Sequence, residues 1–392
     1  MPTETLDARQ AAEVLGVKLS TLYAYVSRGL LRSLPGEGRA RRYRRRDLER
    51  LRQRGSAAGA LAWGAPVLES AITQVTPDGP LYRGHAALNL ARDEVSFERV
   101  AELLWSGSLP AVARWERAPD LPPLPLAPPL QRLAVLVPLL GAADPGRYLR
   151  ETVQLLPRAR RVIRAAALAL ATPERRERAS RRVDVAGTLA CGLGARGGAG
   201  ARRALNQLLV VWADHELNVS AFAARVAASA QADLYSCLSA GLAALAGPLH
   251  GGCSLQVEAL LDEIGDPERA AEVVLARQAR GETIPGFAHP LYPQGDPRAR
   301  PLLEAARALG GRRIEGVEAL IAAMREQRGL LPTVDVGTVA LAVALGLPRG
   351  IAPGLIAVGR AAGWIAHTLE QSAEGSLIRP RARYRDARPG ML

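Results

Sequence analysis

From about residue 63 onward the chain repeats one pattern. Apolar residues return every three or four positions in SFERVAELLW, LRETVQLLPRARRVIRAAALAL, GARRALNQLLVVWADHEL and PLLEAARALGG. That spacing lays a stripe along one side of an α-helix, whereas a half-buried strand alternates every second residue. Strand-like alternation is nearly absent, so an all-α fold is expected. Aromatics are only 4% of the chain, with Ala, Leu, Gly and Arg dominant, which favours helices packed through small side chains. At 392 residues the chain exceeds one ordinary core, and two or three domains are expected. Residues 118–129 (APDLPPLPLAPP) read as a Pro-rich interhelical loop.

The longest apolar stretches, such as Val336 to Leu347, are broken by glycine and end at Pro348, too short to span a bilayer. The polar opening MPTETLDARQ lacks the apolar region of a signal peptide. No membrane partner and a cytoplasmic location are therefore expected. Cys191, Cys237 and Cys253 are odd in number and widely spaced, which indicates neither a disulfide framework nor a metal site. Net charge is +13, and residues 1–54 hold +7 of it. Such a concentration can supply phosphate contacts.

Residues 1–54 read as a compact helical module, and GSAAGALA (55–62) as a linker. Asp7 is placed to cap a helix over Ala8 to Leu15, Gly16 to turn the chain, and Ser20 or Thr21 to cap a second helix through about Ser27. A basic hairpin, GEGRARRYRRR, and a short helix, DLERLRQR, follow. DARQAAEVLGVKLSTLYAYVSRGLL with RARRYRRRDLERL resembles the winged helix-turn-helix module of the MerR type. The resemblance implies DNA as a partner. Lys18, Ser20, Thr21 and Tyr25 would then face the major groove, and the run Arg41 to Arg46, with Arg41, Arg42 and Arg44, the phosphates. The competing reading is a relic module used for oligomer contacts.

Three of the five histidines sit beside Gly or Pro or in unusual company: His215 in ADHELNVSA, His250 in GPLHGG and His289 in PGFAHPLYPQGDPRAR. Asp335 in LPTVDVG, Arg298, Arg360 in AVGRAAGW and Arg379 in LIRPRARY complete the set. Removing a proton from carbon beside a carbonyl needs a base, here Asp335, and donors for the enolate oxygen, here His250 and His289. A dicarboxylate or ketoacid needs guanidiniums, which grip carboxylates by two bonds. Alternatives stay open. Arg298 follows the turn signature Asp296-Pro297 and either meets substrate or only pairs with Asp296. Asp335 can also cap a helix starting at Val336, and Arg381 and Arg383 rival Arg379. His85 and His367 read as structural, and Cys253 as a poor nucleophile without an orienting pair.

From about residue 63 to 386 these ordered segments resemble citrate synthases, including 2-methylcitrate synthases. APVLESAITQV, LYRGHAALNLARDEVSFERVAELLWSGSLP, VGRAAGWIAHTLEQ and the motifs above carry the resemblance. It implies an all-helical homodimer with a large domain (63–251 and 347–392) and a small one (252–346) that closes over substrate. It also implies condensation of acetyl-CoA, or propionyl-CoA, with oxaloacetate and hydrolysis of the thioester, with no permanently bound cofactor. Asp335 would take the proton, His250 would hold the thioester oxygen, and His289 would polarise the ketone. His215, Arg298 and Arg360 would bind oxaloacetate, and Arg379 would reach into the partner subunit's site. Pro285, Gly286 and Ala288 would border CoA. The chain departs from the family's usual pattern at Ala288, where Gly precedes the histidine, at Cys253-Ser254 for Ala-Asn, and at Thr333 for Asn. Gly192-Leu-Gly194-Ala-Arg-Gly197 matches a dinucleotide-binding glycine pattern but follows a helical segment, so a loop is expected there.

Overall fold

The computed structural model describes residues 5–27, 31, 33–35, 41–45, 48 and 68–380. They fall into two compact units, the described residues up to Glu69 together with Pro380, and Ser70–Arg379.

The first unit pairs two helices, α1 (Ala8–Leu15) and α2 (Leu19–Ser27), with strands β1 (Thr5–Leu6), β2 (Leu34–Pro35) and β3 (Arg41–Arg44). Asp7 caps α1 as its sequence implies: Oδ1 accepts from the N–H of Arg9 at 2.8 Å and of Gln10 at 2.9 Å, and Gln10 Oε1 accepts from the Asp7 N–H. Gly16 ends the helix at φ 65°, the left-handed turn that glycine adopts without strain. The expected cap of α2 is corrected. Leu22 N–H bonds the Lys18 carbonyl at 3.1 Å, so the helix starts at Leu19 and Ser20 and Thr21 lie in its first turn. The strands pair antiparallel in the order β1-β3-β2, and Tyr43 turns inward with Ala11, Leu22, Leu31 and Leu48. The hairpin tip (36–40), the linker 55–62, Arg46 and most of DLERLRQR lie outside the described residues.

The second unit opens with a feature the sequence does not announce, a meander of β4 (Thr73–Thr76), β5 (Gly79–Tyr82) and β6 (His85–Ala86). Strands of two to four residues are too short for alternation to be read. Fifteen α-helices follow. The first six are α3 (Ala87–Arg92), α4 (Phe97–Ser106), α5 (Pro129–Ala142), α6 (Thr152–Ala169), α7 (Pro173–Ser180) and α8 (Val185–Leu193). The next five are α9 (Ala199–Trp212), α10 (Val219–Ser229), α11 (Leu234–Leu245), α12 (Cys253–Ile264) and α13 (Ala270–Ala279). The last four are α14 (Ala299–Leu309), α15 (Arg312–Arg328), α16 (Val334–Ala344) and α17 (Ala352–Glu374). The Pro-rich stretch is irregular as expected, and Pro129 opens α5. The dinucleotide-like glycines sit at the end of α8, with no strand before them.

Helix α17 is the spine. From Ala352 to Thr368 every residue is buried, and α4, α5, α6, α9, α10 and α11 pack around it. Its apolar positions go all the way round, as for a helix in the centre of a large core. Trp105 Nε1–H bonds the Ala362 carbonyl at 2.9 Å, and Trp212 Nε1–H bonds Thr338 Oγ1 at 2.8 Å, tying α4 to α17 and α9 to α16. Beyond it α13 packs on α15, and α12 and α14 pack on α16. Among the described residues no helix is long and apolar enough to cross a membrane.

Small residues set the helix spacing, as the scarcity of aromatics suggests. Gly241 on α11 lies so near α17 that a Cβ there would sit 2.8 Å from Trp364 Cδ2. Overpacking of this kind costs about 1–3 kcal/mol. Gly241→Ala is expected to lower the thermal midpoint. Gly316→Ala on α15, where an added methyl meets nothing within 4 Å, should raise stability by roughly 0.5–1 kcal/mol, the helix advantage of Ala over Gly. Circular-dichroism melts of the two variants read the opposite signs.

Candidate active site

Trp212 ends α9, and the chain then turns through Ala213, Asp214 and His215 before Asn218 caps α10. Tyr82, wholly buried on β5, holds that turn: its hydroxyl lies 3.0 Å from the Val210 carbonyl, 3.2 Å from that of Val211 and 3.0 Å from that of Asp214. His215 Nε2 meets the Tyr292 hydroxyl at 2.9 Å, and its ring centroid lies 5.7 Å from that of His289. The structure thus brings His215 and His289 together, with Tyr292, which sequence reasoning missed although it lay inside the quoted FAHPLYPQGD segment.

His250 follows α11 in a tight turn, and its Nε2 lies 2.8 Å from Ser220 Oγ. Ser220 also meets Asn218 Oδ1 at 2.7 Å and accepts from Trp364 Nε1–H at 3.1 Å. Asn218 Oδ1 can only accept, so the Ser220 proton lies on that 2.7 Å contact, and the direction of the His250 contact follows the imidazole tautomer.

For His289 the tautomer follows from its partners. Leu291 N–H donates to Nδ1 at 3.2 Å, which leaves the ring proton on Nε2. Arg298 Nη2 is 3.4 Å from Nε2, but arginine only donates, so that N–H stays unused. Burial pulls all three imidazoles below their ordinary range, His250 to about 4. Arg298 and Arg360 add to the effect at His215, Arg360 at His250 and Arg298 at His289. All three are neutral hydrogen-bond groups near pH 7.

Asp335 lies one residue into α16. The helix starts at Val334 rather than Val336, and Asp335 does not cap it. The reason is Asp296, whose Oδ2 takes the Val334 N–H at 3.1 Å from 38 positions away. Asp335 Oδ1 is buried and has no hydrogen-bond partner among the described residues, while Oδ2 has only Thr333 Oγ1, at 3.4 Å. Burial raises this carboxyl to about 6, against the opposing pull of Arg298. Cys253, at the start of α12, is pushed up to about 12 by burial and by the Asp335 charge, so it stays a thiol.

The two arginines differ. Arg298 does pair with Asp296, through Nε at 2.9 Å and Nη2 at 2.8 Å, and its guanidinium also stands over the Trp212 and Tyr292 rings. Arg360, equally buried, stands 5.4 Å from the Trp212 ring centroid, and its Nε and Nη1 have no hydrogen-bond partner among the described residues. Arg379 is exposed at the end of the described residues, and Arg381 and Arg383 lie beyond them.

The 285–288 loop is fastened to α16. Gly286 accepts Thr333 N–H at 2.8 Å, and Phe287 bridges Pro332. At φ 84° a Gly286 Cβ would fall 2.5 Å from Val336 Cγ2, so glycine is required by packing whatever ligand borders it. Ala288 is exposed with φ 63°, a left-handed conformation that costs roughly 1–2 kcal/mol for a residue with a Cβ. Among the described residues no group of three or more His, Cys, Asp or Glu is placed to hold a metal ion.

In the helix-turn-helix unit Lys18, Arg41, Arg42 and Arg44 are exposed and Thr21 is half-buried, while the Ser20 side chain is outside the description. Arg41 Nη1 donates to Ser33 Oγ at 2.7 Å. Tyr25 packs partly against the module core, and the aromatic that stands out is Tyr23, 52% exposed.

Comparison with known proteins fits this arrangement. Residues 60–381 match the family model for the citrate synthase C-terminal domain, and residues 5–56 match a helix-turn-helix domain. The chain is 32% identical to the citrate synthase of Haloferax volcanii over 356 residues, covering 82% of this chain and 94% of that one. It is 31% identical to the 2-methylcitrate synthase of Mycobacterium tuberculosis over 351 residues, covering 82% and 88%. The crystal structure of the Thermotoga maritima citrate synthase superposes with a TM-score of 0.68 at 27% identity, covering 84% of this chain and 95% of that one. With its cluster of histidines, carboxylates and arginines on a mostly helical frame and a helix-turn-helix unit ahead of it in the sequence, the chain belongs to the citrate synthase family of enzymes.

Proposed function

We propose that the protein condenses an acyl-CoA, acetyl-CoA in the first instance, with oxaloacetate and hydrolyses the product thioester, with Asp335 as the base. The observation that carries this reading is the Asp335 carboxylate, raised to about 6 by burial and with Oδ1 unpartnered, among neutral imidazoles and buried guanidiniums. A carboxylate short of hydrogen bonds is a stronger base than one in water, and a pKa near 6 keeps it ionised at pH 7. Asp335 removes a proton from the carbon beside the thioester. His250, in the tautomer protonated at Nδ1, hydrogen-bonds the thioester oxygen as enolate charge develops there. The enol carbon attacks the ketone of oxaloacetate, while His289 Nε2–H polarises that carbonyl and delivers its proton to the new alkoxide, and the proton held by Asp335 then replaces the one the ring gave up. Water then attacks the thioester carbon, releasing the CoA thiol and the tricarboxylic acid. His215 and Arg298 orient oxaloacetate, and Arg360, with donors unspent, takes one of its carboxylates. Pro285, Gly286 and Ala288 border the CoA. Helices α12 to α16 form the smaller domain, which closes over the substrates to keep water from the thioester. The protein works as a homodimer in the cytoplasm, with Arg379 shared across the interface.

Three outcomes are expected. Free thiol appears when acetyl-CoA and oxaloacetate are mixed with the protein, and Asp335→Asn reduces its rate by roughly 10²–10⁴, the usual contribution of a general base. Absence of Asp335-dependent turnover with either acetyl- or propionyl-CoA would sink the enzyme reading. The sign with pH follows from the base: activity is full above about 6 and falls as pH drops through it, and the variant loses that limb.

The exposed Lys18 and β3 arginines favour a second role, contact with DNA. A gel-shift on the promoter of the protein's own operon tests it. Neutralising Arg41, Arg42 and Arg44 should flatten the salt dependence of binding by about 0.9 in log–log slope per lost phosphate contact. An unchanged slope, or no shift with the intact protein, contradicts this role and leaves the unit to oligomer contacts.

A further inference from the structure

Arg360, Gly363 and His367 follow one another at intervals of three and four along α17, so they share one face of the helix. That face meets Asp214, the residue just before His215. The Asp214 carboxylate is wholly buried, with the side chains of His367 and Thr73 beside it, and neither oxygen makes a hydrogen bond of good geometry among the described residues. Oδ1 instead lies 3.9 Å from Arg360 Nη1 and 3.4 Å from His367 Nε2. His367 is also wholly buried, with neither ring nitrogen hydrogen-bonded among the described residues. Gly363 makes the approach possible. Its N–H donates to the Ala213 carbonyl at 2.9 Å, and a Cβ there would lie 2.6 Å from that oxygen and fall on Asp214 Oδ1.

A carboxylate and a guanidinium this deeply buried are each expensive without a counter-charge. The contrast with Arg298 shows what the looser contact achieves. Asp296 takes Nε and Nη2 of Arg298 at 2.8–2.9 Å, so those donors are spent. Asp214 balances the charge of Arg360 from 3.9 Å, and Nε and Nη1 stay uncommitted. The imidazole on the same oxygen and the backbone bond from Gly363 keep the carboxylate from moving closer.

We propose that Asp214 and His367 are positioning residues for Arg360: they hold its guanidinium charged and in place with donors free for a substrate carboxylate. The inference rests on the reading above that Arg360 binds oxaloacetate. Neither residue touches substrate, and both act through Arg360.

Calorimetric titration with oxaloacetate and steady-state kinetics on His367→Met, His367→Gln and Gly363→Ala test it, with melts to check folding. Met fills the imidazole space without a donor, Gln keeps an N–H near the Nε2 position, and Gly363→Ala displaces Asp214 by contact alone. His367→Met and Gly363→Ala should weaken oxaloacetate, in Kd and KM, by about tenfold or more, equivalent to about 1.4 kcal/mol. The acyl-CoA KM should stay within about twofold and His367→Gln should recover most of the loss. Combining His367→Met with Arg360→Lys should cost little beyond the larger single effect. Unchanged oxaloacetate affinity in either folded variant, equal loss for both substrates, or additivity with Arg360→Lys would overturn the proposal. If the unmodified protein turns over but the variants match it, only this inference fails. If the unmodified, folded protein does not bind oxaloacetate, the function reading fails and this one with it.

Discussion

The Asp296 carboxylate receives the backbone N–H groups of Arg298 and Val334 together with Nε and Nη2 of Arg298. Four donors on one buried anion make a fixed point, because removing any of them leaves charge or an N–H unpaired in a site water does not reach. The loop carrying His289, the guanidinium of Arg298 and the first turn of α16 all attach there. Asp335 sits one residue beyond Val334, so its carboxylate inherits its place from a residue 39 positions earlier. The neighbouring Asp296 charge also adds to the upward pull on Asp335, while Arg298 opposes it.

One cause dominates the protonation of the site. Burial disfavours every charged form, so it lowers the three imidazoles and raises Asp335. The arginines push the histidines the same way but oppose burial at Asp335, where burial wins. Neutral imidazoles can donate along one N–H and accept at the other nitrogen, and at His289 the Leu291 N–H decides which does which. A charged imidazole would have no such direction.

Most helices were legible because packing on a buried core imposes the period on the sequence. The Asp7 cap of α1 was legible for the same local reason, since all its partners lie within three residues. What could not be read is what arrives from far along the chain. The start of α16 was misplaced because its first N–H is satisfied by Asp296, and the start of α2 because a backbone carbonyl serves where a hydroxyl was expected. That Arg298 pairs with Asp296 through Nε and Nη2 needed coordinates. Tyr292 was visible in its motif but carried no sign that its hydroxyl would meet His215. His367 reads as structural in the sequence, and its approach to Asp214 Oδ1 at 3.4 Å carried no sign there.

The fastening of the 285–288 loop to α16, through Gly286 with Thr333 and Phe287 with Pro332, has a mechanical consequence. The segments that carry the His289 imidazole and the Asp335 carboxylate are thereby joined to one another, like two jaws cut from one block. His250 is braced elsewhere, by Ser220 on α10 and Trp364 on α17. The gap between the His250 imidazole and that block is spanned by neither of these ties.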